Sequence, residues 1–133
     1  MSERAQVTID NAIATVRLSR PDKLNALDAA MFESMIRAGE QIMADKSVRA
    51  VVLHGEGRAF SAGLDFASFM GNPDLMQKLL ARGKKSPANV AQRIAWIWQE
   101  VQVPVIAAVH GVAFGGGLQI ALGADIRYVT PDA

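Results

Sequence analysis

The order of apolar and polar residues divides the chain into strands and helices in turn. Two β-branched runs, "QVTID" and "IATVRLS", flank Asn11 and predict a hairpin from Gln6 to Ser19. A polar loop, "RPDKLNAL", follows, and Asp28 is placed to cap a helix whose apolar stripe is Met31, Met35, Ile42 and Met43. The continuous apolar run of "RAVVLHG" predicts a buried strand in a parallel sheet covered on both faces. "NPDLMQKLLARGKKSP" turns polar and charged, as expected for a mobile connector with one short helix, its Lys84 and Lys85 solvated. Ser86 as cap and Pro87 at the first helical position predict a further helix, with Val90, Ile94, Ile97, Trp98 and Val101 on one face. "VPVIAAVHG" reads as the next buried strand, "LQIALGA" as a helix and "DIRYVT" as a last strand.

Composition narrows what such an α/β chain can do. Its 133 residues are one domain's worth, and 14 Lys+Arg against 13 Asp+Glu create no long-range field to attract nucleic acid or an acidic membrane. With no cysteine there are no disulfides or thiolate metal ligands, and only His54 and His110 offer imidazole. The amino-terminal "MSERAQVTID" is polar, and no segment approaches the ~20 apolar residues of a membrane span. The expectation is a soluble, cytoplasmic, metal-free protein whose partner is a small molecule or another copy of itself.

Three consecutive glycines open the helix in "HGVAFGGGLQIALGAD", although each costs up to about 1 kcal/mol against alanine in a helix interior. An internal repeat explains them. "AFSAGLD" (59–65) and "AFGGGLQ" (113–119), 54 positions apart, share four of seven residues, and each follows a His-Gly that closes a strand. Stacked units of strand, loop and helix build a short superhelix, with both loops emerging at the carboxyl ends of parallel strands, where ligands bind in open α/β sheets. Bare backbone there exposes N–H groups at a positive helix end, which makes an anion hole. The oxygen it holds belongs to an enolate or tetrahedral intermediate rather than to a nucleotide phosphate, because neither loop carries a Walker or Gly-x-Gly-x-x-Gly pattern. Close helix packing is the competing explanation of Gly111, Gly115 and Gly117. "AFSAG" also approaches a nucleophile elbow with Ser61 attacking and His110 as base, but Ala59 replaces its first glycine and Asp125 follows the histidine instead of preceding it.

At these residues the chain resembles the enoyl-CoA hydratase/isomerase, or crotonase, superfamily. "RLSRPDKLNALD" is similar to the family's CoA-contacting turn, "GEGRAFSAGLD" to its first oxyanion loop and "PVIAAVHGVAFGGGLQIALGADIRY" to its second. The resemblance implies an α/β crotonase-type (ClpP/crotonase) superhelix of repeated strand-strand-helix units, of which residues 1–133 are the amino-terminal part, without the carboxy-terminal helices. It implies an acyl-CoA thioester substrate, with coenzyme A as part of the substrate and no permanently bound cofactor or metal. It places the two oxyanion N–H groups on Leu64 and Gly116. Contacts to the CoA adenine fall near Lys23, Leu24 and Ala62, with Asp65 at the next helix start; Lys23 reads equally well as plain surface. Hydration of a 2-enoyl-CoA in fatty-acid metabolism is the leading reaction implied, with enoyl-CoA double-bond isomerisation, or a catalytically weak acyl-CoA-binding or assembly protein, as alternatives. A homo-oligomer, trimer or hexamer, is implied for a full-length member. One departure stands out: Gln119 occupies the position of the hydratases' first glutamate, and an amide orients water but exchanges no useful proton near neutral pH.

Overall fold

The computed structural model describes residues 3–133, so the first two residues of the polar amino-terminal stretch lie outside it. Strands β1 (Ala5–Asp10) and β2 (Ile13–Leu18) form the expected antiparallel hairpin. Its two-residue turn puts Asn11 (φ 48°) and Ala12 (φ 65°) in the left-handed region, whose twist matches that of the flanking strands. Three parallel strands extend the sheet: β3 (Ala50–Gly55), β4 (Val105–Val109) and β5 (Ile126–Val129). Spatial order equals sequence order, β1-β2-β3-β4-β5, so every crossover advances the chain by one strand in the same direction.

The crossovers carry the helices. Helix α1 (Ala29–Ala44) joins β2 to β3, and the Asp28 side chain accepts from the Met31 N–H as predicted. Met31, Met35 and Ile42 of its stripe are buried, while Met43 is half-buried at the margin. Between β3 and β4 run α2 (Phe66–Met70), α3 (Pro73–Leu80) and α4 (Val90–Glu100), and α5 (Gly116–Gly123) joins β4 to β5. Isolated parallel bridges pair Leu27 with Leu64 and Ser61 with Ala113. Each turn therefore contributes a sheet strand, a short extended segment and a helix, the strand-strand-helix unit of the crotonase-type superhelix.

The core lies on one face of the sheet. Val16, Leu53, Val105 and Ala107 point into it and meet Met31, Met35, Ile94, Ile97, Trp98 and Ile120 from the helices. Each Val, Leu, Ile or Met side chain among them contributes about 1.5–3 kcal/mol by leaving water. Burial along β3 and β4 alternates, and Val52 and Ile106 on the other face are only half-buried. That corrects the expectation of cover on both faces: an apolar run in a parallel strand records the β-branched preference of the strand as well as its burial.

Helix α4 starts three residues later than its expected cap. Asn89, not Ser86, is the N-cap, because Asn89 and Gln92 form a reciprocal capping box that satisfies two backbone donors. The Ser86 hydroxyl instead accepts from the Ala88 N–H in a local turn. Among the described residues no helix is long and apolar enough to cross a membrane.

Candidate functional site

The loops after β3 and β4 are knit together by backbone hydrogen bonds. Phe60 N–H donates to His110 O (2.8 Å), Ser61 N–H to Val112 O (3.1 Å) and Phe114 N–H to Ser61 O (3.0 Å). The two copies of the repeat thus lie side by side but out of phase, since Ser61, third in its copy, pairs with Ala113, first in the other.

The stagger brings Gly63 against the glycine run. A Cβ on Gly63 would lie 2.5 Å from Phe114 O and 3.4 Å from Gly116 N, and its φ of +83° already favours glycine. Gly115 holds the left-handed φ of +48° that turns the chain into α5. Gly116 and Gly117 answer to close approach: added Cβ atoms would lie 2.6 Å from Leu27 Cδ1 and 2.5 Å from Ser61 O. Close packing and backbone conformation thus account for these glycines, and that packing is what brings the loops together.

Two backbone donors result. Leu27 N–H donates to Gly63 O (2.8 Å) and Asp65 N–H to Leu27 O (3.1 Å), so both peptide groups flanking Leu64 are engaged on the Leu27 side and the Leu64 N–H is turned away from it. Gly116 is the first residue of α5, and its N–H has no intrahelical partner. Neither N–H has an acceptor among the described residues. The amino-terminal end of α5 adds partial positive charge beside them.

Of the remaining predicted residues, Leu24, Ala62 and Asp65 are tied to these loops by hydrogen bonds, whereas Gln119 faces a groove whose lining includes neither Leu64 nor Gly116. Lys23 closes a 3-10 turn (Pro21–Lys23), and Leu24, at φ 50°, offers its carbonyl to the Ala62 N–H at 2.8 Å. That bond places the two expected CoA-contacting segments edge to edge and leaves Ala62 only its carbonyl for a ligand. Asp65 is the N-cap of α2, as expected, but its carboxylate faces the protein: it accepts from Ser68 Oγ (2.7 Å) and Arg20 Nη1 (2.7 Å). The Ser68 hydrogen bond, followed by Arg20, holds its pKa below the usual carboxylate range. Gln119 is exposed on α5 and lines an open groove of about 650 Å³ with Trp96, Gln99 and Leu122.

Ser61 is no nucleophile. It is fully buried, and its hydroxyl donates to Asn25 O (2.9 Å) and accepts from Gly63 N–H (3.2 Å). The His110 ring is engaged elsewhere, on Gly57 O at 2.8 Å. No group of three or more metal-ligating side chains occurs among the described residues.

Two residues escaped the sequence reading. Asn25, buried at φ 54°, accepts from Arg20 N–H and donates to Glu56 O and Ala59 O, which ties the first turn of the chain to the loop after β3. Arg20 bridges Asp65 and Asp28, the caps of α2 and α1. A signal was present: Leu-Asp recurs at 27–28 and 64–65, each time just before a helix.

A family model described as enoyl-CoA hydratase/isomerase matches residues 8–133. A probable enoyl-CoA hydratase of Bacillus subtilis (strain 168) is 37% identical over 131 residues, 96% of this chain and 46% of that protein. The mitochondrial Delta(3,5)-Delta(2,4)-dienoyl-CoA isomerase of Rattus norvegicus is 32% identical, over 98% of this chain and 42% of the isomerase. Among solved structures, an enoyl-CoA hydratase/isomerase from Xanthobacter autotrophicus Py2 superimposes with a TM-score of 0.87 at 28% identity, covering 100% of this chain and 48% of the other. The chain spans about half the length of the proteins it matches.

Proposed function

The chain belongs to the enoyl-CoA hydratase/isomerase family, and on that footing we propose that it binds an acyl-CoA thioester with the carbonyl oxygen between the N–H groups of Leu64 and Gly116, serving hydration of a 2-enoyl-CoA. The observation that carries this reading is the pair of acceptor-free N–H groups on two loops in contact at Gly63 and Gly116. Two such donors stabilise an enolate oxygen with little reorganisation, and removing one typically costs ~100- to 1,000-fold in rate. The nucleotide end of CoA lies against the backbone of Lys23, Leu24 and Ala62, a placement supported by the Leu24–Ala62 hydrogen bond. Asp65 contributes from within, as the cap and ion-pair partner that holds the loop.

Hydration adds water oxygen to the β-carbon and a proton to the α-carbon, and both transfers need an acid/base. Gln119 orients water or substrate but moves no proton, so the proton transfers fall to a group other than Gln119. Exposed Leu118, Leu122, Ile126 and Tyr128 support further polypeptide packing beside α5 and β5, from a homo-oligomer or a longer chain. Double-bond isomerisation is the second reading, favoured by Gln119: an isomerase with a single acid/base elsewhere needs no carboxylate at that position.

Calorimetric titration with crotonyl-CoA and with the same acyl group on pantetheine tests the assignment. Crotonyl-CoA binds more tightly, because only the longer ligand gains remote binding energy, and Gly116→Pro weakens both. Equal affinity for the two thioesters removes CoA recognition from the account. The chain by itself hydrates crotonyl-CoA negligibly, followed as loss of enoyl-thioester absorbance; substantial hydration would show that the acid/base lies within it.

A further inference from the structure

The Arg20 side chain is only 10% exposed, although its surroundings offer it no catalytic task. Its Nη1 lies 2.7 Å from Asp65 Oδ2, 3.5 Å from Asp28 Oδ2 and 3.1 Å from Ala26 O. These three partners frame the bridge between Leu27 and Leu64: Ala26 and Asp28 flank Leu27, and Asp65 follows Leu64. The two aspartates start helices on neighbouring turns of the superhelix, and a single cation fastens them to each other. Arg4 reaches Asp28 at 3.1 Å, so the cluster holds two cations and two carboxylates.

The bridge is what aims the Leu64 N–H, since it engages Gly63 O and Asp65 N–H on one side and turns the intervening donor to the other. A peptide group held only by two backbone bonds at an isolated bridge can swing, and its direction then depends on how firmly Asp65 and Leu27 are kept in register. The backbone of Arg20 is itself locked, its N–H donating to Asn25 Oδ1 (2.8 Å) and its carbonyl accepting from Asn25 N–H (2.9 Å). The cation is therefore presented to the bridge from a rigid turn.

We propose that Arg20 is a positioning residue for the oxyanion site, keeping Leu27 and Leu64 in register through Asp28 and Asp65 so that the Leu64 N–H points at the ligand oxygen. The inference rests on the oxyanion reading above. Arg20 touches no substrate atom in this scheme; its effect is on how strongly a bound carbonyl is polarised, and only secondarily on affinity. Lysine, a shorter and more flexible cation without the rigid planar fork, replaces it in part.

The test is spectroscopic, on the 133-residue chain. The probe is a CoA thioester of an arylpropenoic acid carrying a para-amino group, whose absorbance moves to longer wavelength as its carbonyl is polarised. At saturation the wild-type chain shifts the probe to the red, and Arg20→Met loses at least half of that shift while its affinity changes less than threefold. Arg20→Lys recovers part of it. Asp65→Asn, which keeps the side-chain shape but weakens the 2.7 Å contact, gives an intermediate shift and carries the test if Arg20→Met does not fold. A full shift in folded Arg20→Met, or in Asp65→Asn where Arg20→Met is unfolded, overturns the inference and leaves the oxyanion site standing. Absence of a shift in wild type, or its persistence in Gly116→Pro, removes the oxyanion site and this inference together.

Discussion

Adding one methyl group at Gly117 probes both the packing of the loops and the donor pair. A Cβ there would lie 2.5 Å from Ser61 O, 2.8 Å from Ser61 Cβ and 3.0 Å from Ser61 Oγ. Opening the shortest contact even to 3.0 Å moves the start of α5 away from the other loop by about 0.5 Å. Ser61 has little freedom to yield, because its carbonyl accepts from Phe114 N–H and its hydroxyl is held between Asn25 O and Gly63 N–H. Overpacking of this kind costs about 1–3 kcal/mol, offset by up to about 1 kcal/mol from the better helix propensity of alanine. At the middle of these ranges the net loss is about 1–2 kcal/mol, read as a fall of about 3–8 °C in melting temperature. The same displacement carries the Gly116 N–H, and misplacements approaching 1 Å cost up to ~100-fold where geometry governs the chemistry. Gly117→Ala therefore also reduces the red shift of a bound arylpropenoyl-CoA. Gly71→Ala is the control, since a Cβ there meets nothing within 4 Å, and it leaves both readouts within error. An unchanged melting temperature together with a full red shift in Gly117→Ala would refute the account of why glycine is needed here.

Two further outcomes follow from the same contacts. Ser61→Ala removes a buried hydroxyl and orphans the Gly63 N–H, which costs about 1–3 kcal/mol in a urea titration; in the folded variant thioester binding persists, and its abolition would return Ser61 to candidacy as a reacting group. Because the folded pKa of Asp65 is depressed by Ser68 and Arg20, its contribution to stability is fully present above the ordinary carboxylate value of 3.8 and is lost as pH falls through the lower folded value; Asp65→Asn flattens the acid limb of the stability profile in that window, and a profile identical to wild type would contradict the assignment.

Much of the architecture was written in local chemistry. The hairpin, the cap at Asp28, the stripes of α1 and α4 and the glycine run are set by periodicity and by single-residue preferences that need no distant partner. The two loops were legible for the same reason, as a repeated peptide after a repeated His-Gly. What only the tertiary structure decided is how these pieces meet. The two-residue stagger between the loops, which places Gly63 beside Gly116, arises from a bridge between Ser61 and Ala113, residues whose own preferences say nothing about register. The one-sided burial of β3 and β4 depends on where the helices dock, which an apolar run cannot encode. Arg20 and Asn25 passed as ordinary loop residues because their importance comes from partners 31–45 positions away, Asp65 for the arginine and the carbonyls of Glu56 and Ala59 for the asparagine. A local sequence pattern reports what a residue prefers, and the fold decides which distant charge or carbonyl it meets.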